Sequence, residues 1–230
     1  MSNPVGKKAD RSEEIAFLVM EGVLGVQIFL ADADGKRGSV DGRWEREGRV
    51  GVVEVTGPPA EAEMRAFANA ERTGTQWMES GSAKAHLGTL HKHLSDELTE
   101  PWAVANLDKL RRVDAHERHL YLIGRTVPVQ EYYARLSDTY ESGPMEKIGP
   151  LMLPEGITDV WFAGRGARGA TKLGSVMQQV ARYNRTAGWS THAVAIDERL
   201  LPGPKVGRDP APAGWRLPQR DRSAPSGEGA

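Results

Sequence analysis

The sequence predicts an α/β (α+β) protein in which helices flank a mixed β-sheet. Two observations support this fold class. Segments with strand-like apolar runs and segments with helical spacing of apolar residues both recur along the chain. A single helix is followed along the chain by three consecutive strands, and helices and strands then alternate. This order is typical of a mixed sheet covered by helices. The chain has 230 residues, so we expect one sizeable core rather than two.

The first elements are a helix and a group of three strands. Ser12 is expected to cap the helix, which runs to about Glu21. A strand over residues 23–31 and a turn over 32–38 follow. Two further strands, over 39–46 and 50–56, form a hairpin whose tight turn is Glu47-Gly48.

The later elements alternate between helix and strand. Leucines at helical spacing predict a helix within 82–98, and apolar residues at helical spacing, from Leu173 to Tyr183, predict another over 170–184. The remaining predictions are helices over about 60–72, 102–112 and 129–140, and strands over 119–124, 157–163 and 191–197.

Composition divides the chain into three regions. Residues 1–10 are predicted as a flexible arm and residues 11–200 as a single α/β domain. Residues 201–230 are rich in proline, glycine and charge, so they cannot bury enough apolar surface to offset their ordering entropy. We therefore expect a disordered tail there.

Composition also excludes several classes of protein. The chain has no cysteine, which rules out disulfides, thiolate metal sites and cysteine nucleophiles. It shows neither a signal peptide nor an apolar run of the roughly 20 residues that a membrane helix needs. Its net charge of −1 gives no global field for nucleic acid, so any such binding needs a local basic patch. We expect a cytoplasmic location.

The predicted hairpin places two carboxylates opposite each other. A two-residue turn at Glu47-Gly48 sets Arg46 against Arg49, and continuing that pairing sets Glu54 against Asp41. Directly opposed Cβ atoms lie about 4.5–5.5 Å apart, so two ionised carboxylates would repel. The pair is tolerated if one is protonated, if a shared cation neutralises both, or if the face is wet.

Two other arrangements of this hairpin remain open. A turn one residue longer or shorter would move the two carboxylates to opposite faces of the sheet. Glu54 could also lie on an exposed face or pair with Arg43. If the pairing does hold, a divalent ion with oxygen ligands fits it, because Mg²⁺ typically uses one or two carboxylates together with water and substrate phosphate.

This arrangement resembles the PD-(D/E)XK nuclease superfamily, in which an aspartate and a hairpin precede Glu-x-Lys on the next strand. The order of helix, three strands, helix and strand is also similar to that family's restriction-endonuclease-like core. More closely, the chain resembles uncharacterised actinobacterial proteins that share short motifs over roughly residues 12–197. Those motifs are Asp41, Gly48, Glu54-Val55-Thr56, His119-Leu120 and Thr158-Asp159-Val160-Trp161.

The resemblance implies metal-assisted hydrolysis of DNA phosphodiesters. Asp41 and Glu54 would bind Mg²⁺ or Mn²⁺, with the Val55 carbonyl completing the set. The ion would lower the pKa of a bound water and polarise the phosphate. A carboxylate from the first helix, Glu14 or its neighbour Glu13, would add to the centre.

The chain departs from the family pattern at the lysine. Thr56 occupies that position, and its hydroxyl can hydrogen-bond a water but carries no charge. Lys84 and Lys109, on the following helices, are the candidate replacement cations. If neither serves, the protein is a catalytically inactive nuclease-like protein that binds or regulates a partner.

A glycine-rich turn offers a second alternative, a nucleotide-binding module. Gly164, Gly166 and Gly169 follow a predicted strand and precede a predicted helix, the setting of a dinucleotide fingerprint. The rest of a Rossmann sheet is missing, because no strand is predicted after the one that ends at Asp197. The basic residues of the turn, Arg165, Arg168 and Lys172, could instead contact nucleic-acid phosphates.

Overall fold

The computed structural model describes residues 8–31, 39–76, 78, 87–137, 148–164, 167–168, 174–205, 208–209 and 211–224. These residues form an α+β fold with helices on both faces of one mixed sheet, which confirms the predicted fold class. The helices are α1 (Arg11–Leu24), α2 (Glu61–Thr73), α3 (Leu87–Glu97), α4 (Pro101–Arg112) and α5 (Val127–Ser137). None of the helices in these ranges is long and apolar enough to cross a membrane.

The described strands form a single sheet of eight. They are β1 (Phe29–Leu30), β2 (Gly42–Arg46), β3 (Arg49–Thr56), β4 (Glu117–Ile123), β5 (Asp159–Ala163), β6 (Ala167–Arg168), β7 (Ser175–Asn184) and β8 (Gly188–Asp197). The strands β1 to β5 lie side by side in sequence order, and β7 then pairs with β5, β6 and β8. Neighbours β3, β4 and β5 run parallel, and all other pairs are antiparallel. Helices α2 to α4 connect β3 to β4, as a parallel crossover requires.

The sheet separates two hydrophobic cores. One core lies under α3, α4 and α5 and includes Val52 and Leu120 from the sheet. The other lies under α1 and includes Trp44, Val53 and Trp161. Adjacent residues Val52 and Val53 therefore point to opposite faces, as alternation along a strand requires.

Helix α1 begins and ends at positions different from those predicted. Asp10, not Ser12, is the N-cap, because its carboxylate accepts from the Ser12 and Glu13 N–H groups while the Glu13 carboxylate accepts from the Asp10 N–H. The helix continues through Leu24 and ends at Gly25, whose φ of +66° is left-handed. The predicted strand over 23–31 is therefore wrong except at β1, because its first two residues complete the helix.

The helix predicted over 170–184 is also wrong. Residues 170–173 lie outside the described part, and Ser175–Asn184 form strand β7. Val180 is buried in the core under α1, whereas Ala181 and Tyr183 are buried in the core on the other face. A strand buried on both faces shows no polar alternation, so its apolar residues can match a helical period by coincidence.

The segment predicted to be a disordered tail packs against the domain at several of its described residues. Arg216 pairs with Asp209 at 2.7 Å and donates to the Leu201 carbonyl at 2.8 Å. Arg222 is 3% exposed and lies against α1. The prediction considered apolar burial alone, whereas arginine side chains hold this segment. At the other end, the predicted arm is described only from residue 8, and Ala9 and Asp10 are part of the fold.

Candidate active site

The hairpin of β2 and β3 has the turn and the register that the sequence predicted. Glu47 and Gly48 have φ of 53° and 72°, as a type I′ turn requires. Arg46 pairs with Arg49, and the ladder continues to Gly42 opposite Val53. Asp41 immediately precedes β2, and its backbone N–H donates to the Val53 carbonyl at 3.1 Å.

The Asp41 carboxylate extends this ladder by one further bond. Its Oδ2 accepts from the Val55 N–H at 2.7 Å. This bond fixes the carboxylate next to Glu54, and the negative charge of Asp41 raises the pKa of Glu54. The Asp41 carboxylate is thus near enough to Glu54 for its charge to act on it.

Glu54 is almost completely buried, with 2% of the residue exposed. Its Oε1 forms an ion pair with Lys109 Nζ, which reaches it from α4. Its Oε2 is buried and has no hydrogen-bond partner in the described part of the chain. Burial, followed by the charge of Asp41, raises the pKa of Glu54 to about 7, although Lys109 acts in the opposite direction.

Helix α4 supplies two polar side chains to this place. Its buried residues Ala103, Leu107 and Leu110 face the sheet and fix the helix there. The side chain of Lys109 is 32% exposed, so its stem lies partly against the protein while its amine meets Glu54. One turn earlier, Asn106 Nδ2 donates to Thr56 Oγ1 at 3.2 Å and to the Trp102 carbonyl at 2.8 Å.

No sequence motif singled out Asn106. The signal that could have found it is its spacing from Lys109, because residues three apart on a helix share a face. Of the two predicted replacement cations, the structure brings Lys109 to Glu54, and Lys84 lies outside the described residues. The hydroxyl of Thr56 lies beside the same helix and is held by Asn106.

The carboxylates of α1 differ in their roles. Glu14 is buried in an ion pair with Arg222, at 2.6 Å from Nε, so the prediction that it joins the metal centre is wrong. The physical reason is that a buried carboxylate needs a cation, and Arg222 supplies one here. Glu13 is the α1 carboxylate whose charge raises the pKa of Glu54.

The glycine-rich turn lacks the context that a nucleotide site requires. The fingerprint needs a helix after the turn, but Ser175–Asn184 form strand β7, so the helix that the nucleotide-binding alternative requires is contradicted from residue 175 onward. Gly164 has a packing role, because a Cβ there would lie 2.7 Å from the Ala134 N of α5. Arg165 and Lys172 lie outside the described residues, and Arg168 is described only as part of β6.

A second buried polar cluster lies under α1, on the other face of the sheet. His119 Nε2 is 3.1 Å from Asp159 Oδ2, and Trp161 Nε1 donates to His119 Nδ1 at 3.1 Å. The Asp159 carboxylate also accepts from Arg182 at 2.7 Å and from Asn184 at 2.9 Å. The cluster joins three neighbouring strands through side chains, and we assign it to the stability of the sheet.

The residues at Glu54 suit a hard divalent cation that retains much of its water. No set of three or more histidines, aspartates and glutamates in the described ranges could hold a metal ion. Asp41 and Glu54 are the two carboxylates at this place that could contact such an ion, and Mg²⁺ commonly uses one or two. The unpartnered Glu54 Oε2 is an oxygen that such an ion would satisfy.

Comparison of the chain with protein-family profiles, curated proteins and solved structures gives no match.

Proposed function

We propose that Asp41, Glu54 and Lys109 form the centre of a divalent-metal-dependent enzyme that hydrolyses DNA phosphodiesters. The observation that carries this proposal is the ion pair between Lys109 and Glu54, beside Asp41. The sequence lacks a lysine at position 56, and the fold supplies one from α4 to the same carboxylate. The order of α1, three antiparallel strands, a helical crossover and a parallel strand also agrees with the PD-(D/E)XK resemblance.

Each residue then has a defined task. Asp41 and Glu54 would hold the Mg²⁺ or Mn²⁺, and the bound ion would supply Lewis acidity for activating a water and polarising the phosphate. Lys109 supplies the positive charge that stabilises negative charge developing on the phosphate. Thr56, positioned by Asn106, orients the attacking water through its hydroxyl. Asp41, Thr56 and Lys109 are all partly exposed, so the centre opens toward solvent where DNA can approach.

The pKa of Glu54 gives this proposal a pH dependence. A metal ligand must be ionised, and the pKa of Glu54 is about 7 before metal binds. Cleavage should therefore rise with pH through about 7. Replacing Lys109 by methionine raises that pKa further, because the remaining causes, burial and the Asp41 charge, both raise it. The pH profile of any residual Lys109→Met activity should shift to higher pH.

The test is cleavage of single- and double-stranded DNA with Mg²⁺ or Mn²⁺. Asp41→Asn, Glu54→Gln and Lys109→Met should each lower the rate by about a hundredfold or more. Lys92→Met, an exposed lysine on α3, is the matched control and should cleave like the wild type. Unchanged cleavage in Asp41→Asn and Glu54→Gln would reject the assignment.

Metal affinity separates the role of Lys109 from that of the carboxylates. Lys109 competes with the ion for Glu54, so at a pH above the raised Glu54 pKa Lys109→Met should bind Mn²⁺ at least as tightly as the wild type while cleaving more slowly. Loss of both metal affinity and cleavage in this variant would show that Lys109 only maintains the structure of the centre.

A specific observation also favours the inactive alternative. Glu54 is 2% exposed and already neutralised by Lys109, so the pair can persist without metal as part of the core. A protein that only binds or regulates a partner would cleave no DNA under any metal. Salt-sensitive DNA binding that Asp41→Asn leaves unchanged would identify that case.

A further inference from the structure

The buried guanidinium of Arg222 occupies a complete pocket on α1. Its Nε and Nη2 donate to the two carboxylate oxygens of Glu14 at 2.6 and 2.8 Å. Its Nη1 donates to Glu21 Oε1 at 2.9 Å and to the Ile28 carbonyl at 2.7 Å. Its Cζ lies 5.0 Å from the centre of the Phe17 ring. We call these four residues the arginine pocket.

The shape of the arginine pocket selects a guanidinium. A planar fork can meet both oxygens of one carboxylate while its remaining N–H groups reach a second carboxylate and a carbonyl. A lysine ammonium is a compact charge that cannot form this set of parallel bonds, and it is more strongly hydrated. Two carboxylates in a buried place also require a cation, so the pocket disfavours neutral side chains.

The segment that carries Arg222 is held mainly by side chains. We call residues 216–224 the C-terminal strap, and Arg222 is its one buried residue. Its backbone hydrogen bonds to the domain in the described part are those from Leu217 N to the Arg199 carbonyl, 2.8 Å, and from Leu30 N to the Arg222 carbonyl, 2.9 Å. Arg220, an exposed residue, also pairs with Glu21 at 2.8 Å.

These contacts resemble those of a short peptide bound to a domain more than those of a strand or helix within it. One buried side chain fixes the segment, and the backbone of the same residue pairs with β1. The other bonds that must break for the strap to leave come mostly from exposed or partly exposed side chains, namely those that Arg216, Gln219 and Arg220 donate to the domain. Its linkage to the domain keeps its effective concentration at the pocket at roughly millimolar levels, which favours the cis arrangement over a dilute competitor.

We propose that the arginine pocket is a binding site for an arginine side chain on an extended peptide segment, which the C-terminal strap occupies in cis. When Arg222 is absent, the pocket accepts the same segment in trans. The ligand class is an extended peptide with an arginine whose own carbonyl accepts from Leu30 N–H. This inference is independent of the proposed nuclease activity, because it concerns Glu14 and Glu21 rather than Asp41 and Glu54.

The test uses a fluorescent peptide with the sequence of residues 215–224 and the full-length chain. Fluorescence anisotropy should show binding to Arg222→Ala, in which the pocket is vacant. Binding to the wild type should be at least about tenfold weaker, because the strap competes in cis. A peptide carrying Arg222→Lys should bind the vacated pocket at least about tenfold more weakly than the arginine peptide.

Folding of the variant is monitored by circular dichroism. Removal of Arg222 leaves Glu14 buried without its cation, so Arg222→Ala can unfold. In that case the arginine peptide, at about 1 mM, should restore the folded spectrum and the lysine peptide should not. If Arg222→Ala is folded, the inference is rejected when it binds neither peptide, when it binds both equally, or when the wild type binds the arginine peptide as tightly. If Arg222→Ala is unfolded, the inference is rejected when the arginine peptide does not refold it.

Discussion

Replacing Glu54 by glutamine should remove part of the pH dependence of the free energy of unfolding. The pKa of Glu54 is about 7 in the folded protein, against an ordinary value of 4.5, chiefly because of burial and then of the Asp41 charge. Each pKa unit is worth about 1.4 kcal/mol, so the difference amounts to about 3 kcal/mol. Since the folded pKa lies above the unfolded one, the native state binds this proton more tightly. The corresponding stability is complete below about 4.5 and is lost as pH rises through about 7.

The measurement is urea denaturation at a series of pH values from about 5 to 8.5. Glu97, whose pKa burial also raises to about 7, adds a contribution of the same sign, so the wild type should lose stability from both groups. Glu54→Gln should remove about half of this pH dependence, and Glu97→Gln should remove the other half. Glu45→Gln, at an exposed position on β2, is the control and should retain it all. An unchanged pH dependence in Glu54→Gln would refute the electrostatic description of this site.

Three further substitutions test the structure by equilibrium unfolding. Lys109→Met should lower the free energy of unfolding by about 3 kcal/mol at pH 8.5, because it leaves Glu54 without its cation. Lys205→Met, which removes a 73% exposed side chain, should lower it by less than about 0.5 kcal/mol. Equal losses in the two variants would contradict the role of Lys109. Gly51→Ala should lower the Tm by about 5 °C or more, because the added Cβ would lie 2.1 Å from Trp44 Cε2. An unchanged Tm would show that Trp44 can move away. Asp159→Ala should lower the free energy of unfolding by about 3 kcal/mol, because it leaves buried His119 and the partly buried Arg182 and Asn184 without their acceptor. A loss below about 1 kcal/mol would contradict the role assigned to that cluster.

The hairpin was predictable from sequence because two local constraints agree there. A two-residue turn at Glu47-Gly48 fixes the pairing of the strands, and the alternation of Gly51, Val52 and Val53 fixes their faces. Together these constraints predict Asp41 opposite Glu54 from the sequence alone. Leucines at helical spacing similarly predicted α3, whose buried face supports this part of the sheet.

Features that depend on distant parts of the chain could not be predicted in the same way. Strand β7 is buried on both faces, so its pattern carries no period that distinguishes strand from helix. Arg222 meets Glu14 across 208 positions of sequence, and composition alone gives no indication of such a pair. The selection of Lys109 required the packing of α4 on β3, because two lysines were equally acceptable in the sequence.

The most direct test of the central claim is calorimetric titration of the wild type and of Asp41→Asn with Mn²⁺ at pH 8.5, where Glu54 is ionised. The wild type should bind one ion per chain, and Asp41→Asn should bind it at least about tenfold more weakly. Absence of binding up to about 10 mM, or an affinity that the substitution leaves unchanged, would contradict a metal centre at Asp41 and Glu54.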